Sequence, residues 1–228
     1  MSLFSLFEEE RAEGPFTILT VCTGNICRSP LSEVMLRKGL HGLPAIVHSA
    51  GTQALVDHGM TTENQDIAAE LGLDGFGGHR ARQITEQFIR EADLVLALSR
   101  EHRSAIVELV PRASRKVFTL REFARLARAV TRGELGASES ELAEGRMRDA
   151  VEVVAQLRGT VPAPEDPLEL DVIDPYKQSD EIYVRSAGEI TPAVNSIVQL
   201  FRAAVSGWSD YGAGSSSSGD SGESGGKA

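Results

Sequence analysis

One segment near the N-terminus combines a thiol, a guanidinium and two residues that tolerate unusual backbone angles. It reads Cys22-Thr23-Gly24-Asn25-Ile26-Cys27-Arg28-Ser29-Pro30. Backbone N–H groups that converge at a helix N-terminus bind a phosphate dianion well, and Gly24 and Asn25 suit the tight loop that this requires. Arg28 can add a planar grip on two phosphate oxygens. Such positive surroundings favour the thiolate, so the segment predicts that Cys22 attacks phosphorus as a nucleophile.

This chemistry also needs an acid that protonates the leaving oxygen, and Asp174 is the best candidate. Pro175 restrains the loop after it, and Tyr176 can line the entrance to the site. Asp-Pro is also a common turn opener, so the pair gains its significance only beside the Cys22 segment.

The sequence around these residues predicts strands that alternate with helices. An apolar run, 16–21, stops at Cys22, and Ser29 and Pro30 can cap and begin a helix. Further strands are predicted at 45–48, 93–98 and 116–119, and helices at 61–73, 85–91, 100–109, 120–132, 138–158 and 190–205. The alternation predicts a three-layer α/β/α fold with a central four-stranded parallel sheet and a phosphate-binding loop after the first strand. Sites in such sheets lie beyond the carboxyl ends of the strands.

Charge and cysteine content narrow the class of protein. The net charge is −10, and the stretch 129–171 holds ten acidic against four basic residues. This acidity argues against a nucleic-acid or anionic-membrane binder. Two cysteines only five positions apart suit a reducing compartment, and the N-terminus has neither a basic leader nor an 18-residue apolar run. We expect a cytoplasmic protein without membrane insertion.

We predict one phosphatase-sized domain at 16–205 with two flanking segments. An extension covers 1–15, and a tail at 206–228, rich in Gly and Ser, is expected to be disordered. Within the domain, 129–171 is predicted as a helical acidic insertion. A lid, a partner-docking helix and an inert surface addition are all open interpretations of it.

Four blocks in this order resemble the low-molecular-weight protein tyrosine phosphatase family. They are Cys22 to Pro30, Ser49-Ala50-Gly51-Thr52, Gly78-His79-Arg80-Ala81-Arg82-Gln83, and Asp174-Pro175-Tyr176. The resemblance covers about 16–128 and 172–203. It implies hydrolysis of protein phosphotyrosine through a phosphocysteine intermediate, without cofactor or metal.

The resemblance also implies a role for each matching residue. Cys22 would be the nucleophile, Arg28 the phosphate ligand and transition-state stabiliser, and Asp174 first the general acid and then the base. Ser29 would donate a hydrogen bond to the Cys22 sulfur. The remaining roles are substrate contacts from Thr23, Gly24, Asn25, Ile26, Cys27 and Tyr176, support of the strained Asn25 by Ser49 and His79, and a reversible disulfide between Cys22 and Cys27.

Two departures from the family concern the substrate. Ala54, Leu55 and Val56 stand where an aromatic residue often flanks the substrate ring, and Lys177 replaces a second tyrosine. The lysine resembles bacterial members linked to tyrosine kinases of polysaccharide export, which suggests such a kinase as a partner.

Two other functions stay open. Related arsenate reductases use the same fold and a similar loop, but those that resemble this loop most need two further cysteines, and this chain has none outside the loop. A non-catalytic phosphoprotein-binding module would be expected to lack the nucleophile or the acid, and both Cys22 and Asp174 are present.

Overall fold

The computed structural model describes residues 14–206 of the chain. Its strands are β1 (Phe16–Cys22), β2 (Ala45–Gly51), β3 (Leu94–Ala97) and β4 (Val117–Thr119). Its helices are α1 (Arg28–Gly39), α2 (Thr62–Glu70), α3 (Glu86–Glu91), α4 (Arg100–Leu109), α5 (Leu120–Ala127), α6 (Arg132–Gly136), α7 (Ala143–Gln156) and α8 (Asp180–Ser206). All strand pairs are parallel, in the order β2-β1-β3-β4. Since β2 and β3 lie on opposite sides of β1, a switch point lies at the carboxyl end of β1.

Alternate side chains of the strands face two separate clusters of buried residues. Phe16 and Ile18 of β1 belong to the larger cluster, together with residues of α1, α5, α7 and α8. Leu19 and Val21 belong to the smaller cluster, together with residues of α3 and α4. Burial of both faces explains why the β1 sequence is apolar throughout. The predicted three-layer fold and its four-stranded parallel sheet are confirmed.

The acidic stretch 129–171 takes part in the main core through α7. Met147 and Val154 of this helix are fully buried in the larger cluster. Arg148 forms an ion pair with Asp93, the residue just before β3, with Nε 2.8 Å from Oδ1. Helix α7 is therefore a part of the packed core and not an inert surface addition.

The last helix is longer than the sequence pattern predicts. Its predicted start is residue 190, but α8 begins at Asp180 and contains Pro192 in its interior. Tyr183 and Ala187 are buried and extend its apolar face by about two turns. Their burial offsets the destabilising effect of a proline inside the helix.

The helix predicted over 120–132 is shorter and is followed by a second one. Helix α5 ends at Ala127, and Thr131 is the N-cap of α6. The Thr131 hydroxyl accepts a hydrogen bond from Glu134 N, and the Glu134 carboxylate accepts one from Thr131 N, which together form a capping box. Thr131 has an extended backbone conformation, so α5 and α6 are two separate helices.

The two predicted flanking segments fall almost entirely outside the described residues. The extension 1–15 includes only two described positions, and the tail 206–228 only one. The domain limits at 16 and 205 therefore stay predictions. Between residues 14 and 206, no helix is both long and apolar enough to cross a membrane.

Candidate active site

Residues 22–28 form a loop that joins the end of β1 to the start of α1, at the switch point of the sheet. The neighbouring loop donates three backbone hydrogen bonds to it: Thr52 N to Cys22 O (2.9 Å), Gln53 N to Thr23 O (3.0 Å) and Leu55 N to Gly24 O (3.0 Å). Because a trans peptide group is planar, each carbonyl that points outward turns the following N–H inward. The N–H groups thus line a concave nest at the N-terminus of α1, the geometry that binds an anion.

Asn25 has the left-handed backbone that the loop requires, with a φ of 56°. Its side-chain Nδ2 donates to Ser49 Oγ at 2.8 Å and to Ser29 Oγ at 3.0 Å, and its Oδ1 accepts from Arg82 N at 2.9 Å. The Asn25 carbonyl oxygen lies 2.7 Å from His79 Nε2. These contacts offset a conformation that is unfavourable for a residue other than glycine.

Ser29 lies within the first turn of α1 and beside the thiol of Cys22. Its Oγ is 3.0 Å from Cys22 Sγ, and both residues are buried. The prediction that Ser29 caps this helix is wrong, because Cys27 occupies the N-cap position and makes no side-chain capping bond. The Ser29 hydroxyl faces the sulfur instead, where it can donate a hydrogen bond to a thiolate.

Arg28 is 5% exposed and joins the loop to a distant segment of the chain. Its Nη2 lies 2.8 Å from Asp174 Oδ2, and its Nη1 donates to the Val172 carbonyl at 3.1 Å. Its Nε is buried and has no hydrogen-bond partner among the described residues. A buried N–H of a cation that lacks an acceptor is unfavourable, so this edge of the guanidinium is suited to an anionic ligand.

Asp174 and Tyr176 lie on the segment between Asp171 and α8, here called the acid loop (171–179). The Asp174 side chain is half exposed, and its Oδ1 accepts from Tyr176 N at 3.2 Å. Tyr176 is 40% exposed, and Lys177 Nζ lies 5.1 Å from its ring centroid. The ion pair between Arg28 and Asp174 holds the Asp174 carboxyl beside the loop that carries Cys22.

Contacts to three helices fix the position of the acid loop. Arg100 at the start of α4 binds the Asp171 carboxylate through both Nε and Nη2, at 3.0 to 3.2 Å. Arg121 of α5 donates to the Asp171 carbonyl at 2.8 Å, and Glu189 of α8 accepts from Ile173 N at 2.9 Å.

Cys27 is buried behind the loop, beside α8. Its Sγ lies 3.8 Å from Thr61 Oγ1 and 3.9 Å from the Tyr183 hydroxyl. Burial raises the pKa of the Cys27 thiol to about 11, so this thiol is protonated at neutral pH. Both cysteines are free thiols.

The site presents hydrogen-bond donors and one guanidinium to a ligand, which suits an anion. Within residues 14–206, no group of three or more His, Cys, Asp or Glu side chains could hold a metal ion.

Comparison with known proteins identifies the family. A model of the family described as low molecular weight phosphotyrosine protein phosphatase matches residues 17–139. The chain belongs to this family. The low molecular weight protein-tyrosine-phosphatase Etp of Escherichia coli K12 is 43% identical over 95 residues, which span 42% of this chain and 62% of Etp. The matched part is thus less than two thirds of that relative's length.

A curated relative and a solved structure add to this comparison. A protein-arginine-phosphatase of Geobacillus stearothermophilus is 38% identical over 110 residues, 48% of this chain and 72% of the relative. The solved structure of Vibrio vulnificus Wzb in complex with benzylphosphonate has a TM-score of 0.57 and 25% identity, and it covers 82% of this chain and 99% of Wzb.

Every residue that the family resemblance singles out lies in or beside this site. Cys22, Arg28 and Asp174 are brought together across a long stretch of sequence, and Ser49 and His79 contact Asn25 as expected. Thr23 and Gly24 form the front of the loop, while Ile26 and Cys27 pack beneath it with Ala81 and Tyr183.

Sequence reasoning missed three side chains that support the loop. Glu33 accepts from Ser49 Oγ at 2.5 Å, and Arg82 Nε donates to the Ser49 carbonyl at 2.8 Å. His102 is buried, with Nε2 2.8 Å from Thr23 Oγ1. The sequence contains a signal for His102, because this residue closely follows the predicted strand at 93–98. The carboxyl ends of neighbouring parallel strands meet at the same edge of a sheet, so a residue shortly after that strand can reach the loop after β1.

Proposed function

We propose that this phosphatase-family chain hydrolyses phosphotyrosine in proteins, with Cys22 as nucleophile, Arg28 as phosphate ligand and Asp174 as general acid and base. The observation that carries the proposal is the environment of the Arg28 guanidinium. It binds the acid loop through Nη1 and Nη2 while its buried Nε has no acceptor among residues 14–206. A phosphate oxygen would supply that acceptor within reach of both the thiol and the carboxyl.

In the first step the Cys22 thiolate attacks phosphorus from the side opposite the tyrosyl oxygen. An S–P bond forms as the P–O bond to the tyrosine breaks, and the Asp174 carboxyl gives its proton to the departing phenolate oxygen. Arg28 and the loop N–H groups bind the three equatorial oxygens, where charge accumulates in the transition state.

In the second step water replaces the cysteine. The Asp174 carboxylate takes a proton from the water as its oxygen bonds phosphorus, and the S–P bond breaks to return the Cys22 thiolate and free inorganic phosphate. The Ser29 hydroxyl, 3.0 Å from Sγ, would donate to the departing thiolate.

Burial of the nucleophile favours a long phosphorylated side chain. Cys22 is only 2% exposed, so the phosphorus must travel some way into the loop from the peptide backbone of the substrate. Phosphotyrosine has that length and phosphoserine does not. Tyr176 at the rim offers an aromatic face to the substrate ring.

Phosphoarginine is a second candidate substrate. It has the required length, and a relative at 38% identity is named a protein-arginine-phosphatase. In this case Asp174 would protonate the guanidine nitrogen as the P–N bond breaks.

The deciding experiment compares peptides with phosphotyrosine, phosphoarginine or phosphoserine, with arsenate as a fourth arm, in buffer with chelator and reductant. We expect phosphotyrosine turnover in the wild type, none in Cys22→Ser, and in Asp174→Asn a loss that grows with the pKa of the leaving group. Retained turnover in Cys22→Ser would disprove the mechanism. Phosphoarginine turnover alone would move the assignment to the second substrate, arsenate reduction alone to a reductase, and binding without turnover to a phosphoprotein-binding module.

We also propose that a tyrosine kinase of polysaccharide export is the protein substrate, and Lys177 after Tyr176 supports this assignment.

We further propose a cytoplasmic location and a reversible disulfide between Cys22 and Cys27. Both proposals are supported by the presence of two free thiols. A peroxide would supply the oxidant by taking two electrons and two protons from the thiol pair. Mass spectrometry of peroxide-treated protein would test for the bond.

A further inference from the structure

A chain of hydrogen bonds runs from α4 to the phosphate-binding guanidinium. His102, in the first turn of α4, is 4% exposed. Its Nδ1 lies 2.9 Å from Ser99 Oγ and its Nε2 lies 2.8 Å from Thr23 Oγ1. Thr23 Oγ1 in turn lies 3.5 Å from Arg28 Nη2, a long contact.

The chemistry of the guanidinium fixes the direction of one of these bonds. A guanidinium has donors only, so Thr23 Oγ1 must accept from Arg28, and its single hydroxyl proton stays available for His102. When that proton points at His102 Nε2, the ring nitrogen accepts it, and the imidazole proton lies on Nδ1 and is donated to Ser99 Oγ. Burial and the nearby Arg28 charge lower the pKa of His102 to about 4, so the ring is neutral at neutral pH, as this arrangement requires.

We propose that His102 is a positioning residue for the phosphate-binding guanidinium of Arg28, acting through the hydroxyl of Thr23. The Val172 carbonyl holds Nη1 and the Thr23 hydroxyl lies against Nη2. Nε and Nη2 share one edge of the planar group, and that edge can meet two phosphate oxygens once Asp174 releases Nη2.

The contact with Thr23 gains importance once a substrate binds. In the free protein Asp174 also holds Nη2, at 2.8 Å. Catalysis needs Asp174 at the leaving oxygen, so its hold on Arg28 weakens just when the guanidinium must be aligned. Thr23 and Val172 are then the protein groups that still fix its plane. This inference rests on the proposed phosphatase function.

The inference is tested by pairing two truncations with a conservative variant. His102→Leu removes the acceptor, Thr23→Val removes the hydroxyl at nearly constant shape, and His102→Gln returns an oxygen acceptor near the Nε2 position. We expect His102→Leu and Thr23→Val each to lower kcat/KM and to weaken inorganic phosphate binding by about tenfold, as for one hydrogen bond to a charged group. His102→Gln should recover most of both losses, and the double variant should be no worse than either truncation.

Nitrogen-15 NMR of the wild-type imidazole provides a readout that does not need turnover. It should show the tautomer with the proton on Nδ1. A proton on Nε2, losses that multiply in the double variant, or a His102→Gln variant as weak as His102→Leu would each overturn the inference. The exposed His41, changed to Gln, serves as the control for loss of an imidazole.

Failure of the phosphatase proposal can be distinguished from failure of the His102 inference. If the wild type hydrolyses no phosphoester, inorganic phosphate affinity and the imidazole tautomer still decide whether His102 positions Arg28. If His102→Leu does not fold, Thr23→Val and His102→Gln decide the same question.

Discussion

Gly51 is the last residue of β2, and a methyl group there should displace the phosphate-binding loop. It pairs in register with Cys22, and a Cβ built on it would lie 2.4 Å from the Thr23 carbonyl oxygen and 3.1 Å from Ala54 Cα. Both neighbours are backbone atoms, so no flexible side chain can move aside. The absence of a side chain at Gly51 is what allows the two loops to approach.

The size of the effect follows from these distances. Ordinary contact begins at about 3.4 Å, so Gly51→Ala must move the Thr23 carbonyl by about 1 Å. This carbonyl belongs to a peptide of the loop that binds the phosphate and also accepts from Gln53 N. A shift of that size at a reacting centre lowers rates by about a hundredfold, and overpacking costs about 1–3 kcal/mol of stability.

The assay is kcat/KM on a phosphotyrosine peptide together with urea unfolding. Gly59→Ala is the matched control, because Gly59 is exposed and has no atom within 4 Å of the added methyl. We expect Gly51→Ala to lose about a hundredfold in kcat/KM and Gly59→Ala to stay within about twofold. A Gly51→Ala enzyme with wild-type kcat/KM would show that the loop tolerates the displacement and would refute the steric argument.

Two further predictions concern the core and the buried imidazole. Met147→Ala in α7 should lower the free energy of unfolding by about 2–5 kcal/mol, while Leu142→Ala, at a side chain that is 66% exposed, should change it by under about 0.5 kcal/mol. Urea unfolding of both variants checks this, and equal small losses would show that α7 is not part of the core. His102 has a pKa of about 4 in the folded protein against 6.5 unfolded, so below pH 6.5 only the unfolded chain gains its proton. Its contribution to stability is complete above pH 6.5 and is lost as the pH falls through 4, by about 3 kcal/mol, and this part of the pH slope should be missing in His102→Gln.

The phosphate-binding loop was predictable because its signals are local. The run 16–21 ends at Cys22, Gly24 and Asn25 tolerate the backbone angles of a tight loop, and Pro30 restricts the backbone where the helix begins. Alternation of strands and helices then limits the fold to a parallel sheet with the loop at its carboxyl edge. Asp174 was predictable because nucleophilic attack by Cys22 requires an acid for the leaving oxygen, and because Asp174 lies directly before a proline that restrains its loop.

The supporting contacts were hard to predict because they join residues far apart in sequence. His102 meets Thr23 across 79 positions, and neither residue type alone indicates the pairing. The early start of α8 depends on where Tyr183 packs, which is a tertiary effect. The same holds for α7, whose apolar stripe shows that it is buried but not which surface it covers.

The acidic stretch 129–171 lengthens the connection to the acid loop without setting its position. Arg121, before the stretch, donates to the carbonyl of Asp171 at its end, and Arg100 binds the Asp171 carboxylate. Added chain length between fixed points costs little free energy, so the stretch can be long while Asp171 stays anchored. Because the anchors lie at Asp171 and beyond, Asp174 reaches Arg28 whatever the length of the stretch, so α7 could join the core without altering the geometry of the site.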